Sequence, residues 1–520
     1  MTDATGGRGG GPGVIGPPPS PPAGGARWGT GQAGSPGRRP GTTAVIAICA
    51  LAAAALDGLQ VSRPGYLLGR TADIGVYLGG AVRLVHGALP YRDFVFVQPP
   101  GITLLLSPAA LLSDVAGTRG ALTAVRLAAI LVAVANVVLV GRLVRHRGPL
   151  LTLVACAVMA VYPAELYALN AGLLEPLVDL LCLLGAVTVF ERGSLSSSAR
   201  RWLIGGAAMG FATAVKLPAL LPVLVLVLAA LCLPAPRRRL LSYAAGVIAG
   251  FGIPSLPFIL AAPGAFVRDV LLSQVGRTAD RAPVAVRLGW MALNGADGAG
   301  AIAAAVLVLG VIAAGLAVRG RRKDGVEWFA IVAAALVAAS QFVPDQYFPQ
   351  YAALLAPFLA ITLGVAVESL VVRAARPRFD LKAVALILVI LFGASAAEVE
   401  TTSVGDPAAA VDAVIPPGGC SISSAPIVLV VSDRFVSSTP GCTDLVDGFG
   451  TKLAYADEPG EGLAVYRAAI THADYLVLSY SAADWLTGTY APLQAYVAAD
   501  FHLVRSGSQW IYVRDGSPAA

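Results

Sequence analysis

The chain has 520 residues, 56% hydrophobic and 13% charged. Soluble domains carry about 25% charged residues, so the composition excludes an ordinary soluble protein and predicts a polytopic membrane protein. The net charge of +6 comes almost wholly from Arg, since Lys216, Lys323, Lys382 and Lys452 are the only lysines. The Arg fall in short clusters between apolar runs, without the basic face and interleaved aromatics of a nucleic-acid binder.

Residues 1–40 are Gly/Pro-rich, cannot bury a core, and are expected to form a disordered cytoplasmic tail. The first apolar run starts near Thr42, too far in for a cleavable signal peptide. Apolar runs at roughly 42–59, 120–141, 149–168, 173–190, 202–215, 218–234, 241–261, 296–318, 327–343, 350–372 and 382–398 read as membrane segments. The run at 98–113 (QPPGITLLLSPAALLS) is short and contains Pro99, Pro100 and Pro108. If it crossed, the Arg clusters at 142–147, 191–201, 237–239 and 319–323 would all lie outside. The positive-inside rule therefore makes it a juxtamembrane or re-entrant segment, with about eleven spans, a cytoplasmic N-terminus and an external C-terminus.

Residues 399–520 read as a small extracytoplasmic α/β domain. Strands are expected at 427–431, 474–479, 502–506 and 509–514, and a helix over 485–499. Cys420 and Cys442 would face an oxidising exterior, where a disulfide between them is expected. Cys49, Cys156, Cys182 and Cys232 lie in apolar runs as small buried hydrophobes. No spacing resembles a metal site.

The first external loop, about 60–119, carries the strongest chemical signal. Ile74, Tyr77, Leu78, Ala81, Leu84, Val85 and Ala88 recur at helical spacing, which predicts an amphipathic helix over 74–88 on the outer membrane surface. Asp73 stands just before it. As an N-cap it would stabilise the helix by ~1 kcal/mol. As a carboxylate kept ionised by the helix N-terminus it would also suit a general base. Arg92 and Asp93 in YRDF form a second candidate pair or a local ion pair, and Asp57 at the end of the first span is a secondary candidate. His86, on the polar flank, reads as solvated rather than as a metal ligand.

Glu175, Lys216 and Arg277 fall at or near membrane segments, where a lone charge costs several kcal/mol. A shared wet cavity on the outer face would relieve all three. Lys216, Arg277 and Arg281 could stabilise a developing anion or snorkel to headgroups. Asp345, Gln346 and Tyr347 either touch substrate or form a turn between spans.

Asp73, Tyr77, the helix, GALPYRDF, the Pro-Pro-Gly at 99–101 and LLLSPAALL together resemble the first external loop of GT-C glycosyltransferases. The likeness is to family 39-like, dolichyl-phosphate-mannose-type and actinobacterial cell-envelope members. Further stretches resemble later parts of that pattern: NAGLLEPLVDLL with Glu175, GFATAVKLPALLPVL with Lys216, VRDVLLSQVGRTADR with Gln274, Arg277 and Arg281, and DQYFPQYAALLAPFLA with Tyr347. The resemblance spans most of 42–398. It implies an all-α polytopic fold, a polyprenyl-phosphate sugar donor, and an envelope glycan, lipid or protein acceptor. It also implies Asp73 as catalytic base, with Tyr77, Glu175, Lys216, Gln274, Arg277, Arg281 and Tyr347 binding substrate. Where many members carry Asp-Glu, this chain has Asp73-Ile74, and a divalent metal is left open. One base and one displacement would invert the anomeric centre. Mannose or arabinofuranose, at the plasma membrane of a high-GC bacterium, is the donor sugar expected. A lipid-linked-sugar transporter or an envelope scaffold are the rival readings. A transporter would favour inverted repeats and broken helices at mid-membrane, and no internal repeat is visible.

Overall fold

In the computed structural model, the described residues are 40–63, 65–67, 72–232, 237–275, 281–293, 323–373, 407–443 and 445–518, with isolated positions at 315, 386, 389–390, 392–393 and 395–396. The expected tail at 1–39, most of the expected spans at 296–318 and 382–398, and Arg277 lie outside them.

The helices follow the apolar runs. In order they are α1 (Pro40–Val61), α2 (Asp73–Val85), α3 (Gly101–Ala110), α4 (Ser113–Val144), α5 (Pro149–Val161), α6 (Pro163–Ala171), α7 (Glu175–Val189), α8 (Ala199–Val215), α9 (Leu220–Cys232) and α10 (Arg237–Ala261). Helices Gly325–Ser340 and Ala356–Arg373 complete the described bundle. Among the described residues, Gly41–Val61, Ser113–Arg147, Arg237–Ala261 and Pro349–Val371 are long and apolar enough to cross a membrane. A fifth span results if α5 and α6, bent by 43°, are one broken span. The segment expected at 98–113 contains α3, only 10 residues long, or about 15 Å at 1.5 Å per residue.

Helices α8 and α10 pack closely through small residues. Gly206 and Gly210 on α8 face Gly246 and Gly250 on α10, and a Cβ at any of these four positions would overlap backbone of the other helix. Both pairs have GxxxG spacing. That spacing lets backbones approach where lipid tails remove the hydrophobic drive to associate. Pro254 and Pro257 lie inside α10 and are tolerated as prolines often are in membrane helices.

The two ends of the bundle differ. At the C-terminal end of α4, His146 meets Asp324 at 2.7 Å, and Arg147 meets Glu327 at 3.2 Å and Glu368 at 3.6 Å. Asp324 and Glu327 form a capping box at the start of Gly325–Ser340. At the N-terminal end of α4, Gly117 takes φ 71°, a left-handed conformation that suits glycine. The kink brings Thr118 Oγ1 to donate to Val430 O at 2.8 Å, and Arg119 N to donate to Asp433 Oδ1 at 2.8 Å.

One expectation changes here. The stretch 427–431 is a short helix, Ile427–Val431, not a strand. All five of its apolar side chains are buried against α2, α4 and their neighbours, and a β-rich composition does not prevent a single turn once both faces are covered. Helix α2, found over Asp73–Val85, is covered by protein on more than its apolar stripe. Its buried set runs Ile74, Gly75, Tyr77, Leu78, Gly79, Gly80, Ala81 and Val82. Gly75 and Gly79 leave a smooth face on which Ile427 and Phe435 sit directly, and Arg83 donates to Phe435 O at 3.1 Å.

The rest of the C-terminal region holds helices, among them Pro459–His472 and Pro492–Asp500, and a four-stranded sheet, β3–β4–β6–β5 in spatial order. Its strands are β3 (Ser421–Ser423), β4 (Tyr475–Leu478), β5 (Phe501–Arg505) and β6 (Trp510–Arg514), following a small hairpin of β1 (Phe190–Glu191) and β2 (Ser194–Leu195) in the bundle. β3 and β4 are parallel, with Ser421 opposite Tyr475, and the other pairs are antiparallel. Cys420, at the start of β3, forms a disulfide with Cys442, with a Cα–Cα distance of 5.6 Å.

Candidate active site

The expected site residues that come together do so from separate loops. Asp73 is the first residue of α2, and Ala72 holds the cap position without a side-chain capping bond. Asp73 is therefore not the N-cap, but its carboxylate still sits at the positive end of the helix dipole. Tyr77 follows one turn later and is 6% exposed. Burial, then the neighbouring acids Asp73, Glu175 and Asp447, and then Tyr351 hold its phenol well above the ordinary tyrosine range. Tyr77 therefore keeps its proton.

Glu175 opens α7 and is 2% exposed. Its Oε1 accepts a hydrogen bond from Lys216 Nζ, while its Oε2 makes none among the described residues. Lys216 caps the end of α8 with extended φ and ψ of −153° and 127°. The break arises because Pro218 lacks an N–H and cannot continue the ladder of α8. It points the ammonium back at Glu175 and over the ring of Tyr351, 4.9 Å from its centroid. Removing either partner of so buried a pair leaves an uncompensated charge.

Tyr351 lies on the 3-10 segment Pro349–Leu355 and packs edge-on against Tyr347 at 5.9 Å. Arg287 supports Tyr347 from 5.2 Å, and donates to Gln341 O at 2.6 Å and Asp345 O at 2.9 Å. Gln274 does not face this cluster through its amide nitrogen. It donates to Val97 O at 2.8 Å and so ties the later loop to the first one. The neighbouring Asp269 is fully buried on the π-helix Val267–Leu272; it pairs with Arg268 at 2.8 Å and accepts from Phe96 N at 3.3 Å. Burial pushes its carboxyl up to about 6, against the pull of Arg268.

The other expected residues lie elsewhere. Arg281 has a side chain 68% exposed, donates to Phe342 O at 3.0 Å and sits 3.8 Å from Asp345. Arg92 and Asp93 form an exposed pair at 2.7 Å, and Asp93 Oδ2 also accepts from Leu89 N, a turn-closing arrangement. The Arg92 guanidinium holds the Asp93 carboxyl below its usual range. Tyr91, between them and the core, takes φ 71° and buries its ring against Phe266, 5.0 Å away. Asp57 is buried on a small pocket with Gln60, Tyr66, Arg126 and Asn170. His86 meets Asp114 at 2.9 Å. Among the described residues no group of three His, Cys, Asp or Glu is arranged to hold a metal.

Sequence reading missed Tyr351, Asp447, Glu165 and Asp179. Tyr351 sits inside the tyrosine-rich stretch already singled out, so its register alone was lacking. Glu165, which accepts from Asn136 Nδ2 at 3.2 Å, and the fully buried Asp179 are charges within apolar runs, a signal that marks function in membrane segments. Asp447 lies far along the chain and had no local signal.

Residues 96–344 match the profile of glycosyltransferase family 87. The matched part contains Glu175 and Lys216, and begins after Asp73 and Tyr77. No curated protein matches the sequence. The fold is similar to the crystal structure of ArnT from Cupriavidus metallidurans bound to undecaprenyl phosphate, at 14% identity over 92% of this chain and 99% of that one, with a TM-score of 0.57. The apo state of the same protein matches at 15% identity over 90% and 98%, also with a TM-score of 0.57. The apo oligosaccharyltransferase of Archaeoglobus fulgidus matches at 14% identity over 84% and 69%, with a TM-score of 0.51. At these identities the structural likeness is one of fold. With the family 87 match inside that fold, the findings indicate a membrane-embedded glycosyltransferase of the GT-C type.

Proposed function

We propose that this protein moves a sugar from a polyprenyl-phosphate donor to a hydroxyl of an envelope glycan, lipid or protein. Transfer takes place on the outer face of the plasma membrane. The reading is supported by the convergence of Asp73 and Tyr77, Glu175, Lys216 and Tyr351 from separate loops at one end of the bundle. The undecaprenyl phosphate in the ArnT structure supports the donor class.

Asp73 takes the proton of the acceptor hydroxyl, and that oxygen attacks the anomeric carbon. Polyprenyl phosphate leaves from the opposite face, so the centre inverts. Lys216 stabilises the departing phosphate, its own charge balanced by Glu175 in the resting state. Tyr77, held protonated, donates to the reacting oxygens. Mannose and arabinofuranose are the sugars to try first. The N-terminus lies in the cytoplasm and the C-terminal region outside, consistent with the Arg-rich clusters at the end of the bundle away from the site.

The test is sugar transfer by purified protein in nanodiscs, using radiolabelled polyprenyl-phosphate sugars and crude envelope acceptors. Wild type is expected to transfer, and folded Asp73→Asn to lose at least ~100-fold. Equal transfer by Asp73→Asn would remove Asp73 as the base. No transfer by folded wild type from a broad donor panel would move the function to lipid-linked-sugar transport or scaffolding.

A further inference from the structure

We infer that Arg126, a buried cation on the membrane helix α4, is a positioning residue for this site. It ties the chain entering α2 to the turn that leads into α7, and so fixes the first turn of α2, with Asp73, against the loop of Glu175. This rests on the proposed transfer reaction and names a residue that holds its parts in register.

Arg126 lies inside the span Ser113–Arg147 and is 3% exposed. An arginine so placed is costly unless it serves something. Its planar fork is spent on two backbone carbonyls from different segments. Nη2 donates to Leu67 O at 2.9 Å, and Nη1 donates to Asn170 O. Leu67 lies just upstream of α2, and Asn170 stands in the last turn of α6. The final carbonyls of a helix have no partner within it and carry the negative end of its dipole. Asn170 O is therefore a fitting acceptor for a guanidinium.

The contact extends to the residues beside it. Gly172 ends α6 in the left-handed region, with φ 67°. A Cβ there would stand 3.0 Å from both Arg126 Nη1 and Ile74 Cγ1. Ile74 is buried and follows Asp73 directly. Gly172 thus lets the guanidinium, the first turn of α2 and the turn before Glu175 meet at one point.

Helix α4 grips the far side of that turn as well. Asn136, fully buried on the same helix, donates to Pro176 O at 3.0 Å and to Glu165 Oε1 at 3.2 Å. Asn170 and Pro176 bracket Glu175, so one helix holds the chain on both sides of it. Arg126 is the anchor of the two that also reaches the α2 side.

An alternative is that Arg126 only stabilises the bundle. Lysine keeps the charge and loses the planar fork, so Arg126→Lys separates the two roles. The experiment combines hydrogen exchange of the protein in nanodiscs with steady-state transfer per folded molecule and the melting temperature. In Arg126→Lys, exchange is expected to quicken about tenfold or more in both Ala72–Tyr77 and Asn170–Leu174, and to stay unchanged in α8 and α10. The kcat should fall about tenfold or more, with donor KM within threefold and Tm little changed. Gly172→Ala crowds the same point and should quicken exchange in the same two segments. The double variant should lose less than the two single losses combined. Faster exchange in one segment alone would overturn the tie between them. Normal turnover per folded molecule in both variants would overturn the positioning role, as would losses that only track a lowered Tm. Absence of transfer by folded wild type would overturn the transfer reaction and the catalytic part of this inference. Exchange needs no substrate, so it would still decide whether Arg126 joins the two segments.

Discussion

Two glycine-lined contacts in this molecule use one device for different ends. Between α8 and α10, Gly206 and Gly210 abut the backbone of Tyr243 and Val247, and Gly246 and Gly250 abut that of Leu203 and Ala207. On α2, Gly75 and Gly79 meet Ile427 and Phe435 of the C-terminal region. The first contact is glue between lipid-embedded helices, where close packing replaces the missing hydrophobic drive. The second backs the edge of α2 that carries Asp73 and Tyr77, to which the proposed reaction assigns the base and a proton donor. Small residues alone do not tell the two apart; what lies one helical turn away does.

Substitutions at the two contacts test that distinction. Gly75→Val should push Ile427 off α2 and displace the site. Transfer should fall about 100-fold, the scale of a 1 Å misplacement, while the bundle stays assembled by size-exclusion and circular dichroism. Retained activity would show that the C-terminal region docks without serving the site. Gly210→Leu should destabilise the bundle by ~1–3 kcal/mol or more through overpacking, with the activity of the surviving folded fraction near normal. A specific loss of turnover there would erase the contrast.

Lys216→Met should cost ~3–5 kcal/mol, because Glu175 is left buried with no counterion. Adding Glu175→Gln should restore most of that stability without restoring transfer. Recovery of transfer in the double variant would show the pair to be structural glue like the glycines.

The smallest expected effect concerns pH. Asp269 has its carboxyl raised to about 6 in the folded protein, above its unfolded value. The folded state then binds more protons between about pH 4 and 6, so the Asp269 contribution to stability falls as pH rises through that window. Asp269→Asn should flatten the slope of thermal stability over that range. An unchanged slope would assign it to other groups.

Much of the fold could be read from the chain. Apolar runs broken by Arg clusters located the described membrane helices, because each run can satisfy its backbone only as a helix. Helical spacing located α2 within a few residues. The strands at 475–478, 501–505 and 510–514 followed from alternation and β-branched content. The strand expected at 427–431 became a helix because burial on both faces removes the alternation that distinguishes a strand from a turn of helix. The covering of α2 by Ile427 and Phe435 was not legible, because its glycines, neutral in a periodicity count, were a docking face.

By itself the sequence determined that the chain lies in a membrane, which runs are helical, and that Asp73, Glu175 and Lys216 are costly to place there unless they serve something. Those are local facts, fixed by hydropathy and spacing. Only the tertiary structure decided that Glu175 and Lys216 pair, that Tyr351 rather than Arg281 accompanies them, and that Ile427 and Phe435 sit on the glycine face of α2 from hundreds of residues away. These depend on which loops meet at one end of the bundle. Nothing in the local pattern of a loop encodes its neighbour, because packing between distant segments sets that choice.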